Sequence, residues 1–205
     1  KTIDHFVTSL GKLDQQLVIK MAIDILSGLE HIHLKGVIHK DIKCLNILCG
    51  TDGYKIADFG ISSIDESAKA SVSETMLTLD RTGVQKAPVG TPHYMSLEQH
   101  MGQSIDFRTD IWSLGIVMHR CLSGEYPFGN GAGNFQQVLV AIATAPAPPP
   151  LPNISDQLAI IITKALQKNA SDRYQTATEM LAALQPLSTH ARPLPSGCKY
   201  HFFIC

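Results

Sequence analysis

The sequence predicts a mainly α-helical domain with a few short strands grouped around a polar cluster. In several long stretches apolar residues recur at three- and four-residue spacing, which is typical of amphipathic helices. Short apolar runs separated by turn residues lie within residues 37–57. With 205 residues, of which 44% are hydrophobic, the chain is long enough to bury a substantial core.

The helical pattern is clearest after Asp14, which is a favourable N-cap residue. The apolar residues that carry it are Val18, Met21, Ala22, Ile25, Leu29 and Ile32. Gly36 then ends the pattern, as glycine commonly does at a helix C-terminus. This stretch predicts a long amphipathic helix packed on one face.

Further helices are predicted along the second half of the chain. Residues 106–122 are mostly apolar around Asp110 and Trp112, which predicts a helix buried on most sides. Helical patterns also cover residues 135–144, 156–168 and 177–185. Thr176 and Glu179 have the spacing of a capping box at the start of the last helix.

Short strands are predicted around the polar cluster. Residues 37–38, 46–49 and 54–57 are short apolar runs, and the turn residues Asp52 and Gly53 precede the last of them. The polar residues are therefore expected in the loops between these strands.

The remaining stretches have no sustained periodicity. Residues 61–89 are rich in Ser, Thr and charge and predict a long loop of the kind that is often functional. Prolines between 146 and 152 predict an extended linker. We expect residues 1–185 to form one domain and residues 186–205 a separate, poorly ordered tail.

Composition limits the partners and the compartment. A net charge of -1 without a long basic run gives no electrostatic support for binding to nucleic acid. Five cysteines without a CxxC pair indicate reduced thiols, and no apolar run is long enough for a membrane span. We therefore expect an intracellular location, cytoplasmic or nuclear. Because the first residue is Lys1, a fragment of a longer chain is also expected.

The polar cluster contains the groups that phosphoryl transfer needs. Asp41 can orient an attacking hydroxyl, Lys43 can offset charge on the transferred group, and Asn46 and Asp58 offer hard oxygen ligands for Mg²⁺.

In their order, these residues resemble the motifs of a protein kinase. The sequence His-Lys-Asp at residues 39–41 is similar to the catalytic-loop HRD, Asn46 lies at the required offset, and residues 58–60 are an intact DFG. Residues 90–98 resemble the segment that leads to the family's APE, and residues 110–115 resemble its central buried helix. Residues from about 14 to 185 therefore resemble the C-terminal lobe of a eukaryotic-type serine/threonine protein kinase.

The resemblance implies a role for each site residue. Asp41, Lys43 and Asn46 are expected to be catalytic, with ATP and Mg²⁺ as cofactors. Lys43 and Asn46 are also expected to bind the nucleotide, together with Leu48 under the adenine and Asp58. Asn46 and Asp58 are the expected metal ligands.

The resemblance also implies structural supports for the site. His39, Phe59 and Trp112 are expected to be packing residues. Asp110 is expected to accept hydrogen bonds from the catalytic-loop backbone, and Glu98 is expected to pair with Arg173.

A protein substrate with Ser or Thr acceptors is favoured over a small molecule. Lys43, two residues after the catalytic Asp, is typical of serine/threonine kinases, and Thr91 is expected to lie near it. Lysine at position 40 offers a single point charge where the family usually has a bidentate arginine, so control by loop phosphorylation is open. The candidate acceptors in that loop are Ser71, Ser73, Thr75, Thr78 and Thr82.

The largest departure from the family pattern is that no glycine-rich loop is found at the start of the sequence. The missing N-terminal lobe is therefore an expected partner, and we expect the 205 residues alone to be inactive. The alternative is a pseudokinase-like, non-catalytic interaction module. A small-molecule kinase is disfavoured by the segment that resembles APE.

Overall fold

The structure is a computed structural model, which describes residues 1–59, 63–64, 92–146, 148–149 and 151–188, with the backbone alone at 63–64. Within these ranges the helices are α1 (Ile3–Leu10), α2 (Gln15–His33), α3 (Leu97–His100), α4 (Arg108–Ser123), α5 (Phe135–Thr144), α6 (Asp156–Ala165) and α7 (Ala177–Leu184). The strands are β1 (Val37–Ile38), β2 (Ile47–Gly50), β3 (Gly53–Ile56) and β4 (Ser63–Ile64). The prediction of a mainly helical fold with short strands near the polar cluster is confirmed.

Helix α2 begins where the sequence predicts. The Asp14 side chain accepts a hydrogen bond from the Gln16 backbone N–H at 2.8 Å, which satisfies one of the donors left free at the helix start. The helix ends at His33, and Gly36 follows with a φ of +74°, a conformation that glycine adopts without steric cost. The apolar face that the sequence predicted is buried, with Ile32 at its partly exposed end.

Helix α1 is absent from the sequence-based prediction. Ile3 and Val7 are buried, Phe6 packs against the core, and Leu10 is exposed. Their spacing is that of an amphipathic helix, so the periodic signal exists but is only two turns long. The N-cap residue, Thr2, makes no side-chain capping bond that would have strengthened the signal.

The strands form two antiparallel pairs. Strands β2 and β3 pair from Ile47 opposite Ile56 to Gly50 opposite Gly53, and β1 pairs with β4. The hydrogen bond from the Ala57 N–H to the Asn46 carbonyl, at 2.8 Å, continues the β2–β3 pair beyond the strands. The predicted run 46–49 begins one residue before β2, and the predicted run 54–57 begins one residue after the start of β3.

Helix α4 is the central helix of the domain. Most of its residues are buried, and Gly115 lies so close to α6 that an added Cβ would meet Ala165 at 3.1 Å. The helix starts at Arg108, not at residue 106, because the Asp106 carboxylate accepts the Arg108 N–H at 2.9 Å and so turns the chain before the first helical residue. It ends at Gly124, whose φ is +83°.

The last helices close one side of the core. Helix α7 packs along α2, and buried residues from α2, α4, α6 and α7 belong to one hydrophobic cluster. Thr176 caps α7 as predicted, since its hydroxyl accepts the Glu179 N–H at 3.0 Å. Glu179 does not complete the capping box, because its carboxylate accepts from the Gln175 N–H, at 2.7 Å.

Candidate active site

The loop between β1 and β2 carries the polar cluster, and a buried carboxylate holds its backbone. Asp110 accepts hydrogen bonds from the His39 N–H at 2.9 Å and the Lys40 N–H at 2.8 Å. A fully buried carboxylate is tolerable only when donors surround it. Lys40 takes a φ of +69°, an uncommon conformation for lysine that these bonds help to hold. The predicted role of Asp110 is confirmed.

Two further supports of this loop were not predicted. His33, at the end of α2, forms a hydrogen bond from Nε2 to Oδ2 of Asp110 at 2.9 Å, with the carboxylate oxygen as the acceptor. Gln99 donates from its side-chain amide to the Lys40 carbonyl at 3.1 Å, and its amide oxygen accepts the Ser96 N–H at 3.0 Å. The contacts of His33 with Asp110 and of Gln99 with Lys40 join residues far apart in the chain, so no local pattern marks them.

Asp41, Lys43 and Asn46 meet at a single carboxylate oxygen. Oδ2 of Asp41 accepts from Nζ of Lys43 at 2.6 Å and from the side-chain amide of Asn46 at 2.9 Å. The Asn46 amide also donates to the Asp41 carbonyl at 2.9 Å, which closes the loop on itself. The Asp41 side chain remains 20% accessible, so a hydroxyl can approach its carboxylate.

His39 lies in the protein interior and contacts the backbone of this cluster. It is fully buried, and Nδ1 accepts the Asp41 N–H at 3.3 Å. Burial lowers the pKa of His39 and outweighs the opposing effect of Asp110 and Asp41. A neutral imidazole that accepts from the backbone is a structural residue, as predicted.

The other two predicted packing residues, Trp112 and Phe59, differ in how deeply they are buried. Trp112 is fully buried, and its Nε1 donates to the Met95 carbonyl at 3.1 Å. Phe59 is 47% exposed, so its assignment as a packing residue was wrong in part. Its ring contacts His39 at a centroid distance of 4.8 Å, and this contact covers one side of the ring.

The expected nucleotide and metal residues lie on, or directly next to, the β2–β3 hairpin that follows this loop. Asn46 is buried and uses its amide nitrogen for Asp41, so its side-chain oxygen is the atom that can face a metal. Asp58 is exposed and has a φ of +66°, an uncommon conformation that is enriched for Asp and clusters at functional sites. Leu48, in β2, is 39% exposed and opposite Lys55.

These oxygens fit Mg²⁺ bound together with a nucleotide. Mg²⁺ takes few protein ligands and completes its shell with phosphates and water, so an amide oxygen and one carboxylate suffice. A self-sufficient metal site would need more. Among the described residues, no group of three or more His, Cys, Asp or Glu could hold an ion.

The predicted ion pair between Glu98 and Arg173 is confirmed. The guanidinium of Arg173 is buried and binds both carboxylate oxygens of Glu98, at 2.6 and 2.9 Å. Its remaining donors reach backbone carbonyls that include those of Gln167 and Lys168. Burial raises the pKa of Glu98. The hydrogen bonds and the charge of Arg173 lower this pKa, and together they outweigh burial, so the net shift is downward.

Several predicted residues lie outside the described part of the chain. They are Gly60, Thr91 and the five candidate acceptors between Ser71 and Thr82. The segment that follows them is held on α4, because the Ser113 hydroxyl donates to the Tyr94 carbonyl at 2.9 Å.

Comparison with known proteins gives the family. The sequence model described as protein kinase domain matches residues 1–184. The chain belongs to the protein kinase family. This agrees with the resemblance of the catalytic-loop, DFG and central-helix motifs, and with the contacts of Asp110 and Arg173 described above.

Relatives of this kinase chain include bacterial serine/threonine-protein kinases. A probable serine/threonine-protein kinase of Clostridium perfringens, CPE1738, is 35% identical over 191 residues, which are 91% of this chain and 26% of that protein. PknB of Mycobacterium tuberculosis is 34% identical over 186 residues, 89% of this chain and 28% of that protein. PknB of Mycobacterium leprae is 36% identical over 201 residues, 97% of this chain and 30% of that protein.

The kinase chain thus spans less than a third of the length of these relatives. Among the helices of the described residues, none has the length and apolar character that crossing a membrane requires.

Proposed function

We propose that this chain supplies the catalytic lobe of a serine/threonine protein kinase, which transfers the γ-phosphate of ATP to Ser or Thr hydroxyls of a protein. The observation that carries the proposal is the arrangement at Asp41, where one carboxylate oxygen is bound by both Lys43 and Asn46. An intracellular location remains a prediction.

The arrangement supports a role for Asp41 in orienting the acceptor hydroxyl. Because Lys43 and Asn46 occupy Oδ2, the other oxygen, Oδ1, is the atom that can accept the proton of an incoming hydroxyl. The buried carboxylate of Asp110 accepts hydrogen bonds from the backbone N–H groups of His39 and Lys40 and so holds the loop in place. Catalysis of phosphoryl transfer depends chiefly on such positioning and on electrostatic stabilisation.

The other charged and polar groups support nucleotide binding at the same place. Magnesium-bound ATP, when present, supplies the phosphoryl group and the positive charge that offsets it. Asn46 and Asp58 would hold the metal, and Lys43 would lie against the γ-phosphate. The exposed side of Leu48 is the surface on which the adenine would rest.

The segment after residue 91 supports a protein substrate. His93 contacts the Gly129 carbonyl at 3.0 Å and stacks on Tyr126 at a centroid distance of 4.1 Å. Trp112 and Ser113 of α4 bind the carbonyls of Met95 and Tyr94. A segment held by these contacts, and joined to the loop through Gln99 and the Lys40 carbonyl, can serve as a platform for an extended peptide.

We further propose that the 205 residues alone transfer negligible phosphate, since no glycine-rich loop stands at the start of the sequence to hold the phosphates from the other side. A site open to water on that side loses electrostatic stabilisation of the transition state. The N-terminal lobe of a complete kinase domain is the partner that this lobe requires.

The test compares the 205-residue chain with the complete product of its gene. Both are incubated with Mg²⁺ and radiolabelled ATP, with a Ser/Thr peptide library and a panel of small-molecule alcohols as acceptors. We expect the complete product to label peptides. Its Asp41→Asn variant should label them at a rate lower by a factor of about 100 or more. Asp52→Asn, at an exposed turn, is the matched control and should retain the rate.

Each outcome has a distinct meaning. Labelling by the 205-residue chain that Asp41→Asn abolishes would overturn the proposed inactivity of the isolated lobe. Labelling of small alcohols alone would overturn the proposal that the substrate is a protein. If a complete, folded gene product labels no acceptor, the non-catalytic interaction module is the better description.

A further inference from the structure

An exposed turn between α4 and α5 contains the one Asn–Gly pair of the sequence, Asn130 and Gly131. The Ala132 N–H donates to the Gly129 carbonyl at 2.9 Å and closes the turn. Gly131 takes a φ of +79°, which glycine adopts without steric cost. Apart from its chain neighbours, no atom of the described residues lies within 4 Å of the position that a Cβ of Gly131 would occupy. Solvent and space are therefore available around the pair.

The side-chain amide of Asn130 is not held in place. Within the described ranges, this amide makes no hydrogen bond, and the backbone N–H of Gly131 makes none either. The backbone nitrogen of the residue after an asparagine is the group that can reach the side-chain carbonyl carbon, Cγ, and form a five-membered ring. Glycine presents that nitrogen without a side chain beside it.

The other four asparagines of the sequence lack this combination. Asn46 is buried, and the side-chain amides of Asn134 and Asn169 are hydrogen-bonded. Asn153 is exposed, but the branched side chain of Ile154 stands beside the nitrogen that would attack. Asn153 is therefore the internal control for exposure without a following glycine.

We propose that Asn130 is a spontaneous deamidation site, at which attack by the Gly131 nitrogen and hydrolysis by water yield aspartate and isoaspartate. The Gly131 nitrogen loses its proton and forms a bond to Cγ of Asn130. The bond from Cγ to the amide nitrogen breaks, and ammonia leaves with that proton, which completes a succinimide ring. Water then adds to either ring carbonyl and opens the ring. Water is the only co-reactant, and no electrons are transferred.

The fold of the turn permits the approach of the two groups. Asn130 must rotate about its backbone until the Gly131 nitrogen meets Cγ. One backbone hydrogen bond closes the turn among the described residues, and an exposed turn of this kind opens locally at low cost. Glycine at the next position follows the rotation because it accepts a wide range of backbone angles.

Isoaspartate would disturb the start of the proposed peptide platform. In isoaspartate the backbone runs through the former side chain, which inserts a methylene group between Gly129 and Ala132. The Gly129 carbonyl accepts from the Ala132 N–H and also from Nε2 of His93, at 3.0 Å. A longer turn moves this carbonyl away from His93. The effect on peptide binding rests on the proposed function, whereas the deamidation does not.

The test is peptide mapping of the folded 205-residue chain after incubation at mildly alkaline pH in water labelled with heavy oxygen. We expect the Asn130 peptide to exchange its amide NH₂ for a labelled OH, with both aspartate and isoaspartate present. Its rate should exceed that of the Asn153 peptide by a factor of about 10 or more, which corresponds to a barrier lower by about 1.4 kcal/mol. Asn130→Gln is the matched variant and should stay unmodified at this position, because its longer side chain would have to close a six-membered ring.

Hydrogen exchange measures the structural consequence. After the same incubation, the backbone amides of residues 93–95 should exchange faster in the wild type than in Asn130→Gln. Equal exchange in the two proteins, with isoaspartate present in the wild type, would show that the turn does not hold this segment.

Other results would overturn the modification site itself. Conversion in the urea-unfolded chain but not in the folded protein would show that the folded turn blocks the attack. Equal rates at Asn130 and Asn153 would show that the following glycine has no influence. Aspartate without isoaspartate would indicate direct hydrolysis without a ring. None of these readouts depends on kinase activity, so failure of the proposed function leaves them unaffected.

Discussion

At the scale of single residues, Lys168 places a charged group among aromatic rings. Its Nζ is buried without a hydrogen-bond partner and lies 3.5 Å from the ring centroid of Phe128 and 5.5 Å from that of Trp112. Burial, with a smaller effect from the charge of Arg173, lowers the pKa of Lys168 to about 8. Contact with the aromatic faces works in the opposite direction, because it favours the cation. Burial is the larger effect, since it removes the full hydration of the ammonium.

Replacement of Lys168 by methionine should therefore stabilise the protein at neutral pH. Methionine fills the space between the aromatic rings without a charge, and we expect the free energy of unfolding to rise by about 1 kcal/mol at pH 7. A lysine pKa that is lower in the folded state means that the unfolded chain binds more protons between pH 8 and about 10.4. The stability of the wild type should thus rise relative to Lys168→Met across that window. Urea unfolding at pH 7, 8, 9 and 10 measures the difference.

The matched control for that experiment is the exposed Lys35. Lys35→Met should change the free energy of unfolding at pH 7 by less than about 0.5 kcal/mol, as is usual for surface positions. If Lys168→Met is less stable than the wild type at pH 7, the aromatic contacts dominate and the argument from burial is wrong.

At the scale of elements, the β2–β3 hairpin depends on one glycine. Gly53 has a φ of +123°, and a Cβ at this position would lie 2.5 Å from Oδ2 of Asp24. Asp24 on α2 accepts the Tyr54 N–H at 3.0 Å and pairs with Lys20. The close approach lets the helix cap the turn of the hairpin, whose opposite, open end carries both Asn46 and Asp58.

The variant Gly53→Ala should accordingly destabilise the protein by about 2 kcal/mol or more. The positive φ alone costs a non-glycine residue about 1–2 kcal/mol, and the contact with Asp24 must also break or shift. Gly102→Ala is the control, because Gly102 has a φ of +63° but open space around its Cβ position. Thermal and urea unfolding of both variants separate the two costs. Equal losses would show that contact with Asp24 adds nothing.

The same elements show how far the sequence carries a prediction. Helix α2 was predicted well because Asp14, the apolar repeat and Gly36 are local signals, whereas the two-turn helix α1 offered a short repeat without a capping bond. The contacts of Asp110 with the catalytic loop came from the family resemblance. His33 binds the same carboxylate and was missed, because a contact across 77 positions has no local signature.

At the scale of the whole molecule, the described part of the chain shares one core. The cluster of buried residues extends from Ile3 in α1 to Leu184 in α7 and includes the catalytic-loop residues Ile42 and Cys44. Helix α4 lies at its centre, and the ion pair of Glu98 with Arg173 joins the segment before α4 to the turn before α7. Distant parts of the chain therefore support one another through shared buried surface.

Such a core should unfold in a single cooperative step. Trp112 is the one tryptophan of the sequence and is fully buried on α4, stacked against Phe128 at a centroid distance of 5.7 Å. Its fluorescence reports the centre of the core, and far-ultraviolet circular dichroism reports all helices. Because the proposed domain 1–185 has one core, the two urea-unfolding curves should coincide in midpoint and slope. Loss of helical signal at a lower urea concentration than the fluorescence change would show that α1 or α7 unfolds separately, and would contradict a single unit.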